Sequence, residues 1–249
     1  MTAPVFVVDE ERLRGAAPGT LVRLDGPEGR HAVAVKRLTV GEPIVLTDGR
    51  GTGGSGTVAQ LHGKDTLDVE LADLREEPEP RVRITVVQAL PKGDRGELAV
   101  ETMTEVGVDA VVPWAAARCI AQWKGERGQK ALARWRATAR EAGKQSRRLR
   151  FPAVHDPMTT RQVADLLAAA ALPAVLHEEG ATPLATAPLP DDGDIVLVVG
   201  PEGGVSPEEL AAFAASGARP FRLGASVLRT STAGVAAGAL LLGRTGRWG

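Results

Sequence analysis

Between Ile195 and Leu242 the chain twice carries an apolar run into a glycine-bearing turn and from that turn into a helix. The chemistry this permits is ligand binding by bare backbone. The first turn is Gly200-Pro201-Glu202-Gly203-Gly204, in which three residues without a β-carbon leave peptide N–H and C=O groups uncovered. The second follows Pro220-Phe221-Arg222-Leu223 and breaks at Gly224, with a helix expected from Thr230 or Ser231. Neither turn carries the G-x-x-x-x-G-K-[ST] of a phosphate cradle or the G-x-G-x-x-G of a dinucleotide fold. Glu202 puts a carboxylate in the first turn, which repels a polyphosphate but tolerates a neutral or cationic ligand. One Gly-rich turn taken alone reads equally well as a tight connection into a capped helix.

The flanking elements predict how these turns are held. Ile195 to Val199 is a continuous, mostly β-branched run, suited to a strand covered on both faces in a parallel sheet. Ser206, Pro207 and Glu209 give an N-cap, a first-position proline and a capping box, together worth about 1 kcal/mol, and Gly217 is the expected stop. The helix after the second turn is rich in small residues (Ala233, Gly234, Ala236, Ala237, Gly238, Ala239), so close packing is expected beneath the turn or across a subunit boundary. A third strand, Ala174 to His177, runs into the turn Glu178-Glu179-Gly180. Open α/β sheets bind ligands outside the carboxyl ends of their strands, so residues 177–180, 200–204 and 223–230 are expected to converge.

Upstream, strand Arg83 to Ala89, helix Gly96 to Glu105 with Gly107 as stop, and strand Ala110 to Pro113 read as a βαβ unit. A further helix is expected at Thr160 to Ala170, capped by Thr159 or Thr160. The N-terminal part has another rhythm. Val5 to Val8, Thr20 to Leu24, Pro43 to Asp48, Gly56 to Leu61 and Thr66 to Leu71 are short strand-like runs that suggest a small β-barrel, interrupted by one helical stretch at His31 to Leu38. The glycine-rich Gly49 to Gly56 lacks a Lys-Ser/Thr ending and reads as a hairpin connection. Arg75-Glu76-Glu77-Pro78-Glu79-Pro80 is charged, punctuated by proline and without apolar residues. It divides the chain into residues 1–74, a linker at 75–81, and residues 82–249.

Composition narrows the function. The chain has 249 residues, enough for two domains with real cores, and a net charge of −1. One cysteine, Cys119, and four scattered histidines without ligand spacing leave no disulfide framework and no expected metal site. Met1-Thr2-Ala3-Pro4 does not resemble an export signal and no apolar run reaches about 18 residues, so a cytoplasmic protein without a membrane span is expected. The near-neutral total hides one strong asymmetry. From Arg118 to Arg150 there are eleven Lys or Arg against Glu126 and Glu141, a local charge of +9. Trp123 and Trp135 lie within it. Cations interleaved with flat aromatics suit single-stranded RNA, since phosphates need charge and unstacked bases need a π-face. The alternative is a solvated helix whose tryptophans pack inward.

Five stretches carry a resemblance over the whole chain: RHAVAVKRLTVGEPI, ALPKGDRGELAVETMTEVGVDAVVP, EAGKQSRRLRFP, VVGPEGGVSPEEL and LGASVLRTSTAG. With these the sequence resembles the bacterial small-subunit ribosomal RNA (uracil-N3)-methyltransferases, the RsmE family of the SPOUT superfamily. The resemblance implies an α/β fold: a PUA-like β-barrel joined to an α/β-knot methyltransferase domain whose C-terminal segment threads a deep trefoil knot. It also implies S-adenosylmethionine as methyl donor, 16S ribosomal RNA of the small subunit as substrate, and a homodimer paired through the methyltransferase domains.

Position by position, Gly200, Glu202, Gly203 and Gly204 match the family's first cofactor loop, and Leu223, Gly224, Leu228, Arg229 and Thr230 its second. Leu176 and His177 fall where an earlier loop meets the adenosyl group. RNA-side candidates are Arg23, Arg30, Lys36, Arg37, Lys92, Arg95, Arg118, Trp123, Lys144, Gln145, Arg147 and Arg148, and the catalytic candidates are Arg229 and Glu105. Thr102 and Ser231 depart from the family pattern, which commonly has Lys and Glu there, and so bear on any mechanism needing those groups. A non-catalytic RNA-binding assembly factor, or a related methyltransferase acting on another base or on ribose, remains the alternative.

Overall fold

The computed structural model describes residues 3–248. Met1, Thr2 and Gly249 lie outside the described residues, and with them the first half of the segment read for an export signal. The chain divides into two compact units, residues 1–79 with 143–151, and residues 80–142 with 152–249.

The first unit contains β1 (Val5–Val7), α1 (Glu10–Leu13), β2 (Leu21–Leu24), α2 (Gly26–Arg30), β3 (Pro43–Thr47), β4 (Thr52–His62), β5 (Thr66–Leu71) and β6 (Arg75–Glu76). Strand order is β1-β3-β4-β5-β2, with β6 on β4, antiparallel except for β1 beside β3. Alternation sets the faces: Leu67, Val69 and Leu71 of β5 point into a core shared with Phe6, Val22, Leu24, Ile44 and Leu46. The helical stretch after α2 is one π-turn, closed by Lys36 N–H donating to His31 C=O at 2.8 Å.

Three differences from the sequence reading arise here, the first being that Arg75–Glu76, read as the start of the linker, is strand β6 paired with β4. Most of Gly49 to Gly56 is strand, because β4 begins at Thr52. A β-carbon at Gly54 or Gly56 would collide with the carbonyl of Asp73 or Glu70, so these glycines admit neighbouring backbone rather than loosen a loop. Residues 143–151, assigned by sequence to the second domain, group with this unit. Thr47 donates its hydroxyl to the Leu149 carbonyl at 3.0 Å, Phe151 N–H donates to Gly49 C=O at 2.8 Å, and the Phe151 ring packs against Gly49 and Gly143.

The second unit runs β7 (Val82–Ala89), α3 (Arg95–Val106), β8 (Ala110–Trp114), α4 (Gly125–Gln145, its last turn in the first unit), β9 (Ala153–Val154), α5 (Thr160–Ala168), β10 (Leu172–Leu176), β11 (Thr182–Pro183), β12 (Gly193–Val199), α6 (Pro207–Ala215), β13 (Arg219–Arg222) and α7 (Thr230–Arg244). Its seven strands are all parallel, in the order β11-β13-β10-β12-β7-β8-β9. Ile195 to Val199 is buried at every position, as expected for a central strand with both faces covered, and each such side chain stabilises the fold by about 1.5–3 kcal/mol. The small residues of α7 meet α3 and the chain just beyond it: a β-carbon on Gly234 would lie 2.7 Å from Met103 Sδ, and one on Gly238 2.9 Å from Val108 Cγ2.

Candidate functional site

In the sheet, β10 lies between β12 and β13 and all three run parallel, so their carboxyl ends share one rim. The turns that follow them line a single cavity of about 630 Å³. Pro201 of the first glycine turn and Leu228 of the second are both in its wall. So are all the cofactor candidates taken from the sequence, from Leu176 and His177 through Gly200, Glu202, Gly203 and Gly204 to Leu223, Gly224, Leu228, Arg229 and Thr230. Sequence reasoning did not single out Val199, Phe221 or Ala233 as wall residues. Val199 is the last residue of β12 and Phe221 lies within β13, and Ala233 lies one turn into α7 from Thr230, a spacing that could have found it.

Each turn is fixed by its own chemistry. In the first, Gly204 has φ +73° and its N–H donates to Pro201 C=O at 2.9 Å, closing a turn whose left-handed residue needs glycine. Ser206 then caps α6 in a capping box with Glu209. Arg118 donates to the Gly203 carbonyl at 3.0 Å and lines the cavity, and Lys92 N–H donates to Glu202 at 3.4 Å. In the turn after β10, His177 N–H donates to Phe221 C=O at 2.9 Å, and His177 Nδ1 accepts the Glu179 N–H at 3.2 Å. The second glycine turn is exposed through residues 224–229 and ends where Arg229 enters α7 without a side-chain cap. The Thr230 hydroxyl ties it to Gly200.

The cavity therefore offers bare peptide groups, apolar walls from Leu176, Val199 and Ala233, carboxylates on Glu178 and Glu202, and guanidinium groups on Arg95, Arg118 and Arg229. That donor set suits a ligand with an apolar ring, hydroxyls and a cationic centre, beside an anionic second substrate. Burial pushes the nearby Cys119 thiol above its ordinary pKa, so it does not supply a thiolate. Among the described residues no cluster of His, Cys, Asp or Glu could hold a metal ion.

Other candidates fall elsewhere. Glu105 is exposed, near the far end of α3 from Arg95, about 15 Å along the helix axis, and does not line the cavity. Trp135 is 2% exposed in the core and Trp123 meets it edge-on at 4.9 Å, so the pair packs inward and Trp135 offers no stacking face. Lys144 is not an open RNA contact: its side chain is 7% exposed and lies 3.1 Å from Glu28. The +9 stretch is in part neutralised from outside itself, by Glu97 on Arg134, Asp156 on Arg136, Glu28 on Lys144 and Glu79 on Arg150. Arg23 pairs with Asp68, whereas Arg30, Lys36, Arg37, Lys92, Gln145 and Arg147 are exposed and Arg148 is half-buried.

Comparison with known proteins adds two family matches: an RNA methyltransferase domain over residues 77–242 and an RNA methyltransferase PUA domain over residues 24–72. The ribosomal RNA small subunit methyltransferase E of Mycobacterium tuberculosis is 44% identical over 252 aligned positions, covering 100% of this chain and 94% of that protein. The protein of the same name from Bacillus subtilis is 27% identical, covering 84% of this chain and 85% of its own. Among solved structures, the ribosomal RNA small subunit methyltransferase E of Neisseria gonorrhoeae, bound to S-adenosylmethionine, superposes with a TM-score of 0.83 at 28% identity, covering 98% of each chain.

Proposed function

The chain belongs to the RNA methyltransferase family, and from that premise we propose that it transfers the methyl group of S-adenosylmethionine to N3 of a uridine in 16S ribosomal RNA. The observation that carries the reading is the meeting of Pro201 and Leu228 in one cavity walled by uncovered glycine backbone. The residues present fit the cofactor. Leu176, Val199 and Ala233 offer an apolar bed for adenine, the peptide groups of residues 200–204 and 223–230 offer partners for its polar edges, and Glu178 and Glu202 tolerate a sulfonium where they would oppose a phosphate. When bound, the cofactor supplies a methyl carbon that already carries an excellent leaving group.

The protein's task is then orientation and proton management. Holding nitrogen, carbon and sulfur in line can lower the barrier by roughly 7–11 kcal/mol. A cation beside the uracil carbonyls favours the N3 anion, and Arg229 has that role, with Arg95 and Arg118 facing the RNA strand. Arg30, Lys36, Arg37 and Arg147 supply phosphate contacts on the first unit, so affinity for RNA should fall with salt, with a log-log slope near −0.7 for each neutralised phosphate. Their exposure supports this, as does the backbone at Arg37 and Arg147, held at φ +55° and +58°, where glycine would be the less strained choice. The trefoil knot and a homodimer belong to the same reading through the family resemblance. A cytoplasmic location agrees with a ribosomal substrate and a single free cysteine, and among the described residues no helix is long and apolar enough to cross a membrane.

The test is nucleoside mass spectrometry of 16S ribosomal RNA from cells with and without this protein. N3-methyluridine that disappears with the gene and returns with it is the expected result. Its persistence would sink the assignment, and a missing ribose methyl or other methylated base would move the site of transfer.

A further inference from the structure

Glu209 is 4% exposed, in the first turn of the helix that follows the Gly200-Gly204 turn. Its carboxylate gathers three separate segments. Oε2 accepts the Ser206 N–H at 3.0 Å, while Oε1 accepts the Ala117 N–H at 2.8 Å and the Thr160 hydroxyl at 3.0 Å. A capping box requires only the first of these. The other two come from the loop after β8 and from the start of α5. Thr160 accepts in turn from Trp114 Nε1 at 3.2 Å, which leaves its hydroxyl proton directed at Glu209. Ala117 is the chain neighbour of Arg118, which lines the cavity and holds the Gly203 carbonyl. Arg118 and the glycine turn are thus joined twice, once directly and once through the buried carboxylate.

We infer that Glu209 is a positioning residue for the reaction, fixing the Arg118 loop in register with the first glycine turn so that an RNA strand meets a pre-placed guanidinium. The inference rests on reading the cavity as the S-adenosylmethionine site and Arg118 as an RNA-side group. Its chemistry requires a carboxylate, because all three donors need an acceptor. A glutamine keeps the length but presents N–H groups to one side, where they oppose Ser206 N–H or the Ala117 and Thr160 donors. Charge-assisted bonds in a site with little water are the strong ones, so the loss is large for one atom exchanged.

Ser206→Ala is the matched control, since it removes the same helix cap from its other half and leaves the bonds to Ala117 and Thr160 in place. With small ribosomal subunits as substrate and saturating S-adenosylmethionine, Glu209→Gln should raise KM for RNA by about tenfold or more, tenfold being the lower end of the scale for one lost hydrogen bond to a charged group. Ser206→Ala, lowered similarly in thermal midpoint, should not raise it. Equal RNA kinetics in the two variants, beside a wild type that methylates, would overturn the role of Glu209 alone. A wild type that leaves 16S ribosomal RNA unmethylated would overturn the functional reading instead. Should Glu209→Gln not fold, Thr160→Val breaks one of the same bonds from α5, and RNA kinetics like those of the wild type would again overturn the inference.

Discussion

The hydroxyl of Thr230 donates to the carbonyl of Gly200 at 3.0 Å, joining the first residue of α7 to the residue that follows β12. Behind it, the buried Gln88 amide donates to the Thr230 carbonyl at 3.3 Å. Through these bonds the two glycine turns keep a fixed spacing across the cavity. Thr230→Val preserves shape and removes the hydroxyl, and is expected to weaken S-adenosylmethionine binding by about 3–10-fold, the net worth of one neutral hydrogen bond. Isothermal titration calorimetry measures it. Wild-type affinity would show that this bond does not set the spacing.

Two glycines in the turns should respond differently to the same substitution. At Gly203 a β-carbon would lie 3.1 Å from Arg118 Cβ, so valine there pushes Arg118 aside. At Gly224 a β-carbon meets nothing within 4 Å, so valine folds without conflict and projects bulk beside the cavity. Gly224→Val should therefore lose cofactor binding at an unchanged thermal midpoint, while Gly203→Val loses RNA turnover as well. Normal calorimetric binding by Gly224→Val would count against close approach of ligand to this backbone.

The legible part of this protein was local. The capping box at Ser206 and Glu209, the stop at Gly107 with φ +112° and the buried run Ile195 to Val199 are each decided within a few residues, and the structure has them as read. Convergence of three turns was also legible, because parallel strands of one open sheet put their carboxyl ends on one rim. What escaped depends on contacts far apart in sequence. Counting charges from Arg118 to Arg150 could not reveal that Glu28, Glu79, Glu97 and Asp156 return to pair with them. Nor could composition show that Leu149 and Phe151 rejoin the first unit through Thr47 and Gly49. The bonds from Ala117 and Thr160 to Glu209 lie in the same category, since nothing in the helix N-terminal signature asks for them.

Arg229 occupies the N-cap of α7, where the helix dipole disfavours a cation, and its side chain makes no capping bond. An arginine in that place costs stability by about 0.3–1 kcal/mol, so its presence argues for work done in the cavity it lines. Arg229→Ala is expected to lower kcat by about a hundredfold or more, the scale of one lost charge-stabilising donor, with little change in cofactor affinity or stability. Single-turnover methylation of ribosomal RNA beside calorimetry separates the two effects. An undiminished rate would remove Arg229 from the chemistry.

Lys144 and Glu28 form an ion pair with side chains 7% and 12% exposed, and the ammonium also lies 5.7 Å from the Phe6 ring centroid. Removing one member leaves a charge in a poorly solvated place. Lys144→Met should destabilise the first unit by about 3–5 kcal/mol, and a simultaneous Glu28→Leu should restore much of it, because a well-packed apolar pair often replaces a buried ion pair without loss. Urea unfolding of the two variants checks this. A Lys144→Met protein as stable as the wild type but defective in RNA binding would return Lys144 to the RNA surface.

The acid response of the first unit follows from Asp68. Its carboxylate is held below the ordinary value of 3.8 chiefly by the Arg23 guanidinium, 2.9 Å away, with burial opposing and His62 adding to the effect. A carboxyl whose folded pKa lies below its unfolded one contributes stability that is present above pH 3.8 and lost as pH falls through the lower, folded value. Because the Arg23 side chain is 57% exposed, the contribution is screened and stays within about 1 kcal/mol. Asp68→Asn should therefore lower protection of β2 and β5 amides at pH 7, with the gap to the wild type closing as pH falls through the lowered pKa of Asp68. Hydrogen exchange at Val22 and Val69, compared between the two proteins at each pH, reads this directly. A gap that persists unchanged in acid would mean that Asp68 acts through packing rather than through its charge.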